Sequence, residues 1–461
     1  MLTNLRIENF KSWRDTGAIR LAPLTVIFGA NSAGKSSLGH LLLALKQTAQ
    51  STDRKRALNL GDSNTLVDLG TFEDCVHNHD LSRDLVFSLG WMPPKNISVN
   101  NSVAERHSYL GDHLVVESFL RANQKTKQPE TRKLRYQLTN QGDPVLSAVL
   151  EKESSGKFSL SAEPFKLTRN VGRRWPIESP EKFYKVSENT IAKFQNAAFI
   201  TDFALAVERM FHSITYLGPL REPPKRLYQW SGDTPESVGM NGEFAIAAIL
   251  AAQSEGRFLN RRPKAQKQGF AEFIASWLKD LDLIHSFEVK AVSEGRKEYE
   301  VHVRVYEDSP LVKITDVGFG VSQVLPALVQ AFYSPPNSTV WMEQPEIHLH
   351  PNIQSGLADV FISAIKANED GKPRRSQLII ETHSEHFLTR LQRRIAEGDI
   401  SSKEVVIYFV ARNQGKATIE ELRMNDFGEI ENWPENFFGD PMVDLAARVN
   451  AAANRAAEGG K

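Results

Sequence analysis

A glycine-rich stretch near the start of the chain constrains the fold more than any other feature. Residues 29–36 read Gly-Ala-Asn-Ser-Ala-Gly-Lys-Ser, the phosphate-binding pattern of two glycines four residues apart followed by Lys-Ser. The apolar residues 24–28 before it suit a buried strand, and the leucines at positions 38, 41, 42 and 45 have helical spacing. A strand, a glycine turn and a helix in this order predict an α/β fold with a phosphate site at the turn.

The same stretch predicts how a triphosphate would be held. Successive backbone N–H groups of a glycine turn converge on phosphate oxygens, and the positive end of the following helix faces the same point. Lys35 would reach the β- and γ-phosphates, and the Ser36 hydroxyl would ligate Mg²⁺. A glycine turn without a ligand is the alternative, which the flanking strand and helix disfavour. The ATP-binding residues predicted in this loop are Gly29, Asn31, Ser32, Ala33, Gly34, Lys35, Ser36 and Ser37.

Two later strands end in polar residues. The strand at 339–342 runs into Glu343, and open α/β sheets bind ligands at the carboxyl ends of their strands. Glu343 is therefore the predicted ligand of Mg²⁺ or of its waters. The strand at 378–380 is followed by Glu-Thr-His, so His383 would reach the same edge and sense the γ-phosphate through its ring N–H. The alternatives are an acidic turn without a catalytic role and an ordinary loop histidine.

A second glycine turn lies between these motifs. Residues 316–323 read Asp-Val-Gly-Phe-Gly-Val-Ser-Gln and precede an apolar run with helical character. Glycines before a helix leave N–H donors at its positive end, which is a ready anion site. Gly318, Gly320 and Ser322 are therefore candidate nucleotide contacts, and a turn that only packs is the alternative.

The remaining pattern predicts the organisation of the chain. Short alternating segments from 84 to 164 predict β structure, residues 188–211 and 270–283 have helical patterns, and the last third alternates strands with helices. We expect an α/β P-loop ATPase head with a mixed sheet and a β-rich plus helical insertion. The predicted parts are the N-terminal part of the ATPase domain (1–83), the insertion (84–310), the C-terminal part of the ATPase domain (311–435) and a tail (436–461).

Charge and composition limit the partners. Lys plus Arg equals Asp plus Glu at 56 each, so any contact with nucleic acid must use a local patch. The chain has a single cysteine and no apolar run of roughly 20 residues, which predicts a cytoplasmic protein with no membrane contact. Candidate basic clusters, each of which could also be an ordinary solvated face, are Arg173 with Arg174, Lys225 with Arg226, the set Arg257, Arg261, Arg262, Lys264 and Lys267, and the set Arg390, Arg393 and Arg394.

The motifs stand in the order P-loop, glycine signature, acidic strand end and switch histidine, and in this they resemble an ABC-type ATPase head of the SMC and OLD-like superfamily. Residues 5–12 and 31–37 are typical of its small prokaryotic members. Residues 216–221, 238–243 and 431–434 resemble a subgroup with a distinct C-terminal region.

The resemblance implies that ATP is sandwiched between two heads, hence a homodimer or higher oligomer through the ATP sites. It also implies a sensor or scaffold role in antiphage defence or DNA maintenance. Any nuclease or toxin effector would then be a partner protein encoded nearby.

Two positions depart from the family pattern. Gly318 stands where the signature has serine, which leaves Ser322 as a possible substitute. Gln344 stands where the catalytic glutamate is usual, and an amide can orient a water but cannot act as a general base. Glu346 is the nearest alternative base. The predicted catalytic set is thus Glu343, Gln344, Glu346 and His383, and hydrolysis is expected to be slow.

Two alternatives remain open at this point. The first is a nearly non-hydrolysing platform that ATP holds together. The second is a self-sufficient nuclease, disfavoured because the acidic residues after Val410 lack the metal-binding spacing of OLD nucleases and resemble a solvated face. These residues are Glu420, Glu421, Asp426 and Glu429.

Overall fold

The computed structural model describes residues 1–100, 108–164, 166–293, 295–413, 415–434, 437, 447–449, 451 and 455, so most of the predicted tail at 436–461 lies outside the described residues. The helices in these ranges are α1 (Lys35–Gln50), α2 (Phe72–Cys75), α3 (Glu188–Ile191), α4 (Phe199–His212), α5 (Ala245–Ser254), α6 (Phe270–Asp280), α7 (Phe319–Tyr333), α8 (Pro351–Lys366) and α9 (Glu385–Ala396).

The strands fall into a first half, rich in antiparallel pairs, and a second half that alternates with helices. The first half contains β1 (Leu2–Phe10), β2 (Trp13–Asp15), β3 (Ile19–Arg20), β4 (Leu24–Gly29), β5 (Leu85–Trp91), β6 (Ile97–Asn100), β7 (Ser108–Gly111), β8 (His113–Ala122), β9 (Pro129–Asn140), β10 (Asp143–Lys152) and β11 (Phe158–Glu163). The second half contains β12 (Ile214–Leu217), β13 (Tyr228–Gln229), β14 (Phe258–Asn260), β15 (Gln268–Gly269), β16 (Ser286–Ala291), β17 (Glu298–Arg304), β18 (Val312–Lys313), β19 (Thr339–Glu343), β20 (Asn368–Glu369), β21 (Lys372–Pro373), β22 (Gln377–Glu381), β23 (Val405–Asn413) and β24 (Lys416–Leu422).

A six-stranded sheet in the order β12-β19-β22-β4-β23-β24 positions the candidate site. Its first five strands are parallel, and β24 pairs antiparallel with β23. The inner strands β4, β19 and β22 are buried along their whole length, as expected for apolar strands covered on both faces. Because the strands are parallel, Gly29, Glu343 and Glu381 end at the same edge.

An antiparallel sheet in the order β11-β10-β9-β8-β5-β1-β2 covers much of the N-terminal half, with β3 paired to β1. Strand β5 pairs with β1, so the β-rich segment 84–164 continues the sheet of the first strand. One hydrophobic core joins this sheet to α1 and to one face of the parallel sheet. A second core lies on the other face, between the parallel sheet and helices α5 to α9.

Most of the predicted elements are confirmed, including β23 and the strands β4, β19 and β22 with the helices that follow these three. The fold is of the α/β class with mixed sheets, as predicted. The helical pattern over 188–211 is wrong in its middle, because residues 192–198 separate α3 from α4. There the Asn196 side chain accepts a hydrogen bond from the Thr168 N–H and donates one to the Lys166 carbonyl. Such side chain to backbone bonds compete with a continuous helix.

Candidate functional site

The P-loop joins β4 to α1, and the side chain of its lysine folds back onto the backbone of the loop. Gly34 precedes the helix with φ 114°, and a Cβ atom there would lie 2.3 Å from Ser12 Oγ, so the position requires glycine. Lys35 Nζ donates to the carbonyls of Gly29 at 2.8 Å and Ala30 at 2.9 Å. Burial lowers the pKa of Lys35. Both acceptors are neutral, so a phosphate oxygen would be a stronger partner for the ammonium group.

The rest of the predicted loop lies around this lysine. Asn31 and Ser32 are exposed at its rim, and Ser32 has a left-handed φ of 60°. Ala33 is buried, and the Ser37 N–H donates to the Gly34 carbonyl in the first turn of α1. Among the described residues, the only backbone hydrogen bond of residues 30–32 is the one that the Ala33 N–H donates to the Ala30 carbonyl.

Ser36 lies between two carboxylates. Its hydroxyl donates to Glu381 Oε2 at 2.9 Å, and Trp341 Nε1 donates to Glu381 Oε1 at 2.9 Å. Glu343 Oε1 accepts a hydrogen bond from the Tyr216 hydroxyl at 2.8 Å. Burial and the neighbouring Glu343 raise the pKa of Glu381 to about 8, and burial raises the pKa of Glu343. A cation at this point would relieve the repulsion between the two carboxylates, so the residues fit Mg²⁺.

A complete metal cage is not formed by side chains alone. Within the described ranges no three His, Cys, Asp or Glu residues converge as ligands of a metal ion. Mg²⁺ usually takes one or two carboxylates and completes its shell with phosphate and water oxygens. Ser36 and Glu343, the predicted metal ligands, therefore match a magnesium site that requires the nucleotide.

Glu381 was not in the predicted set, although the sequence contains the signal for it. It follows the apolar residues 378–380 just as Glu343 follows 339–342. In the sheet the two residues are register partners on neighbouring parallel strands. The matching positions of Glu343 and Glu381 at the ends of two strands are therefore a signal in the sequence. Using it requires knowing that β19 and β22 are neighbours in the sheet, which the sequence does not show.

The turns after β19 and β22 contain the predicted catalytic residues. Gln344 has a left-handed φ of 44°, and its N–H donates to the Glu381 carbonyl at 2.8 Å. Glu346 is buried, and its Oε1 accepts a hydrogen bond from the His383 N–H at 2.7 Å. Glu346 Oε2 and His383 Nε2 are buried without a partner among the described residues. Burial raises the pKa of Glu346 and lowers that of His383.

Arg221 is a second residue that the prediction of the site missed. It follows β12, and its Nη2 donates to the Glu343 carbonyl at 3.4 Å. Its Nε and Nη1 atoms are buried and have no partner in the described part of the chain. Burial lowers the pKa of Arg221 to about 10, although Tyr216, Glu346 and Glu343 oppose this shift. A buried guanidinium with free donors beside a P-loop calls for an anion.

The glycine signature lies at the start of α7. Gly318 precedes α7 and is exposed, Gly320 is in the first turn, and Phe319 between them is 71% exposed. Ser322 is buried, and its hydroxyl donates to the Phe319 carbonyl at 2.8 Å. Among the described residues no hydrogen bond or ion pair joins this turn to the P-loop. The structure thus brings together Lys35, Ser36, Glu343, Glu346 and His383, and among the described residues the signature turn forms no such contact with the P-loop.

No helix in the described ranges combines the length and the apolar composition that a membrane crossing requires.

Comparison with known proteins gives two family matches. Residues 247–388 match the model of an AAA ATPase domain (AAA_15), and residues 400–447 match a family described as a protein of unknown function (DUF3696). The ATPase range contains Glu343 and His383 and begins after the P-loop. No curated protein matches the chain.

Three solved structures are similar at low identity. An SMC head bound to the C-winged helix domain of ScpA has a TM-score of 0.41 and 12% identity, covering 91% of this chain and 98% of that chain. The SMC head domain from Thermotoga maritima has a TM-score of 0.39 and 13% identity, covering 92% and 99%. An Smc head with an extended coiled coil, bound to the C-terminal domain of ScpA derived from Pyrococcus furiosus, has a TM-score of 0.38 and 12% identity, covering 91% and 96%. At these TM-scores the likeness carries no inference about function, and it is the AAA ATPase match that supports an ATP-binding, ATPase-type protein.

Proposed function

We propose that the chain binds ATP with Mg²⁺ at the edge of the parallel sheet and hydrolyses it slowly. The observation that carries this proposal is the convergence of Lys35, Ser36, Glu343 and Glu381 at the end of three neighbouring strands. In this proposal the loop residues Gly29 to Ser37 hold the phosphates through backbone N–H groups, and Lys35 exchanges its two carbonyl acceptors for phosphate oxygens. Ser36 and Glu343 would hold the metal ion.

The residues around the terminal phosphate have separate tasks in this proposal. Mg²⁺, when bound, would neutralise the charge that develops on the phosphates. Arg221 directs its two free donors at the same charge, and His383 donates from its ring nitrogen. Glu346 Oε2 has no hydrogen-bond partner among the described residues, and its raised pKa makes Glu346 a better proton acceptor than an exposed carboxylate. Gln344 can orient water but cannot accept its proton.

We further propose that a second copy of the chain completes the site. The signature turn exposes Gly318 and Phe319 and, among the described residues, has no hydrogen bond or ion pair to the P-loop of its own chain, so it is available to a partner in a head-to-head dimer. Because the Ser322 hydroxyl is engaged within its helix, the contact to the partner's nucleotide would come from the N–H groups at the start of α7. Gly318 and Gly320 would allow the close approach.

The wider role rests on the sequence resemblance. We propose a cytoplasmic nucleotide-gated sensor or scaffold in a prokaryotic antiphage or DNA-maintenance system, with its effector in a separate protein. Slow hydrolysis suits this role, because the ATP-bound assembly would persist long enough to act as a switch. A platform that hardly hydrolyses ATP is the alternative, and Gln344 is the observation that favours it.

Phosphate release by the purified protein tests the proposal. Wild type should release phosphate slowly, Glu346→Gln should lower the rate at least about tenfold, and Gln344→Glu should raise it. Glu420→Gln is a matched control, since this exposed carboxylate lies on β24 and its one hydrogen bond among the described residues comes from Asn432. Unchanged release in Glu346→Gln would remove the base assignment. If only the Gln344→Glu variant releases phosphate and wild type does not, the nearly non-hydrolysing platform is the supported alternative.

A further inference from the structure

The basic clusters of the chain differ in how they are neutralised. In three of the four clusters most cations form ion pairs. These pairs are Lys225–Glu222, Arg226–Asp316, Arg257–Glu369, Arg261–Asp280, Lys267–Asp370, Arg390–Asp359, Arg393–Glu397 and Arg394–Asp359. Arg173 and Arg174 have no carboxylate partner among the described residues. Charge that is already paired contributes little to binding a polyanion, so the cluster of Arg173 and Arg174 is the one whose charge is available for a polyanion.

Arg173 and Arg174 belong to a segment without acidic residues, which we call the basic loop (residues 166–177). It contains four cations, and the first carboxylate after it is Glu178. Glu178 is already engaged by Ser187 at 2.6 Å and by Lys193 at 3.9 Å. All four cations of the basic loop, Lys166, Arg169, Arg173 and Arg174, are exposed. The loop is therefore an open concentration of positive charge on a chain whose net charge is zero.

The neighbouring strand adds a further cation. Ile177 at the end of the basic loop forms an isolated bridge with Phe158, the first residue of β11. Lys157, which precedes Phe158, is exposed and has no carboxylate partner among the described residues. Lys157 thus lies beside the end of the basic loop, at β11, the last strand of the antiparallel sheet, and brings the number of cations in this region to five.

The basic loop also exposes an aromatic face. Trp175 is 56% exposed, and the Arg173 guanidinium lies 4.6 Å from the centre of its ring. Arg169 is 5.3 Å from the Phe194 ring and donates to the Trp175 carbonyl at 3.5 Å. Cations alone would suit any polyanion, but an arginine and a tryptophan stacked in solvent are the groups on which unpaired bases stack.

We infer that the basic loop binds single-stranded nucleic acid. The phosphates of the nucleic acid contact Lys157, Lys166, Arg169 and Arg174, and one of its bases stacks on the face formed by Trp175 and Arg173. An acidic protein would satisfy the charge, but it would leave the exposed indole without a flat partner. This surface is separate from the nucleotide site and goes beyond the proposed ATPase function.

Fluorescence anisotropy with the full chain and a labelled oligothymidylate tests the inference. With four phosphate contacts, the logarithm of the association constant should fall with the logarithm of salt concentration at a slope of about −2.8. The double variant Arg173→Ala/Arg174→Ala loses one phosphate contact and the stacking guanidinium, so it should bind at least about tenfold more weakly, with a slope smaller by about 0.7. Trp175→Ala should lose about fivefold to about a hundredfold in affinity, and Trp175→Phe should recover part of it.

Controls distinguish this surface from the rest of the protein. Arg393→Ala removes an arginine that is paired with Glu397 and should bind like wild type. Nucleotide affinity measured on the same variants should not change, so a failure of the ATP site would be seen separately. The inference is overturned if wild type does not bind the oligonucleotide at 0.1 M salt, or if the double variant binds as tightly as wild type. It is also overturned if duplex DNA or polyglutamate binds equally well and Trp175→Ala has no effect.

Discussion

Replacing Arg221 by methionine should stabilise the nucleotide-free protein and lower its affinity for ATP. Met keeps the aliphatic packing of the arginine and removes its charge. Burial lowers the pKa of Arg221 from its ordinary value to about 10, and at about 1.4 kcal/mol per tenfold change this shift sets a ceiling of about 3 kcal/mol on the cost of the buried charge. Because the unfolded chain binds this proton more tightly, the cost is fully present below pH 10 and disappears only as the pH rises toward the pKa of an exposed arginine.

We expect only part of this ceiling, since Glu343 and Glu346 lose a cationic neighbour in the variant. A gain of about 1 to 2 kcal/mol in the free energy of unfolding at pH 7 is the expected result. Urea unfolding of the nucleotide-free protein measures it. Arg221→Lys retains the charge and is the matched control, so it should show no such gain.

The same variant should discriminate less between ATP and ADP. A charge-assisted hydrogen bond to the γ-phosphate contributes about 1.5 to 3 kcal/mol, so the affinity for a non-hydrolysable ATP analogue should fall about tenfold to about a hundredfold. Affinity for ADP, which lacks that phosphate, should change little. Calorimetry with both nucleotides in the presence of Mg²⁺ measures the ratio. A destabilised Arg221→Met variant with an unchanged ratio would show that Arg221 is only a packing residue, which would refute this reasoning.

Two further predictions follow from buried groups. Because the pKa of Glu381 is raised to about 8, the folded protein holds its proton more tightly than the unfolded chain, and stability should fall as the pH rises from about 4.5 to about 8. Glu381→Gln should therefore gain up to about 2 kcal/mol more at pH 8 than at pH 6 in urea unfolding, and equal gains at the two pH values would contradict the shift. Burial raises the pKa of the Cys75 thiol to about 12, so its reaction with a thiol reagent at pH 8 should be about a thousandfold slower than that of a free cysteine and should occur only on unfolding. Rapid labelling of the native protein would contradict the buried position.

Local patterns were sufficient for the elements that carry the site. The P-loop, the strands ending at Glu343 and Glu381, and helices α8 and α9 could be predicted because each is defined by apolar periodicity and by residues close in sequence. The start of α8 is a clear case: Pro351 occupies the first turn and His350 caps it. The prediction of one continuous helix over residues 188–211 was wrong between α3 and α4, because the Asn196 side chain accepts a hydrogen bond from backbone almost thirty residues away.

Long-range pairing accounts for what the sequence did not reveal. Arg221 reaches Glu343 across 122 residues, and Arg257 is neutralised by Glu369 across 112 residues. No pattern within either segment contains that information. For the same reason the sequence suggested four equivalent basic clusters, whereas the ion pairs of the folded chain leave only the basic loop largely unpaired. The sequence also did not indicate that the Ser322 hydroxyl donates to the Phe319 carbonyl within its own helix.

The central claim is that a triphosphate binds where β4 meets α1, and calorimetric titration of ATP with Mg²⁺ into wild type and Lys35→Ala tests it most directly. Lys35 is buried, and in the described part of the chain its only acceptors are the Gly29 and Ala30 carbonyls, so the variant should remain folded with an unchanged or higher melting temperature. Its affinity for ATP should fall at least about a hundredfold, because the ammonium contact with two phosphates is lost. Wild-type affinity in a folded Lys35→Ala variant would contradict the account.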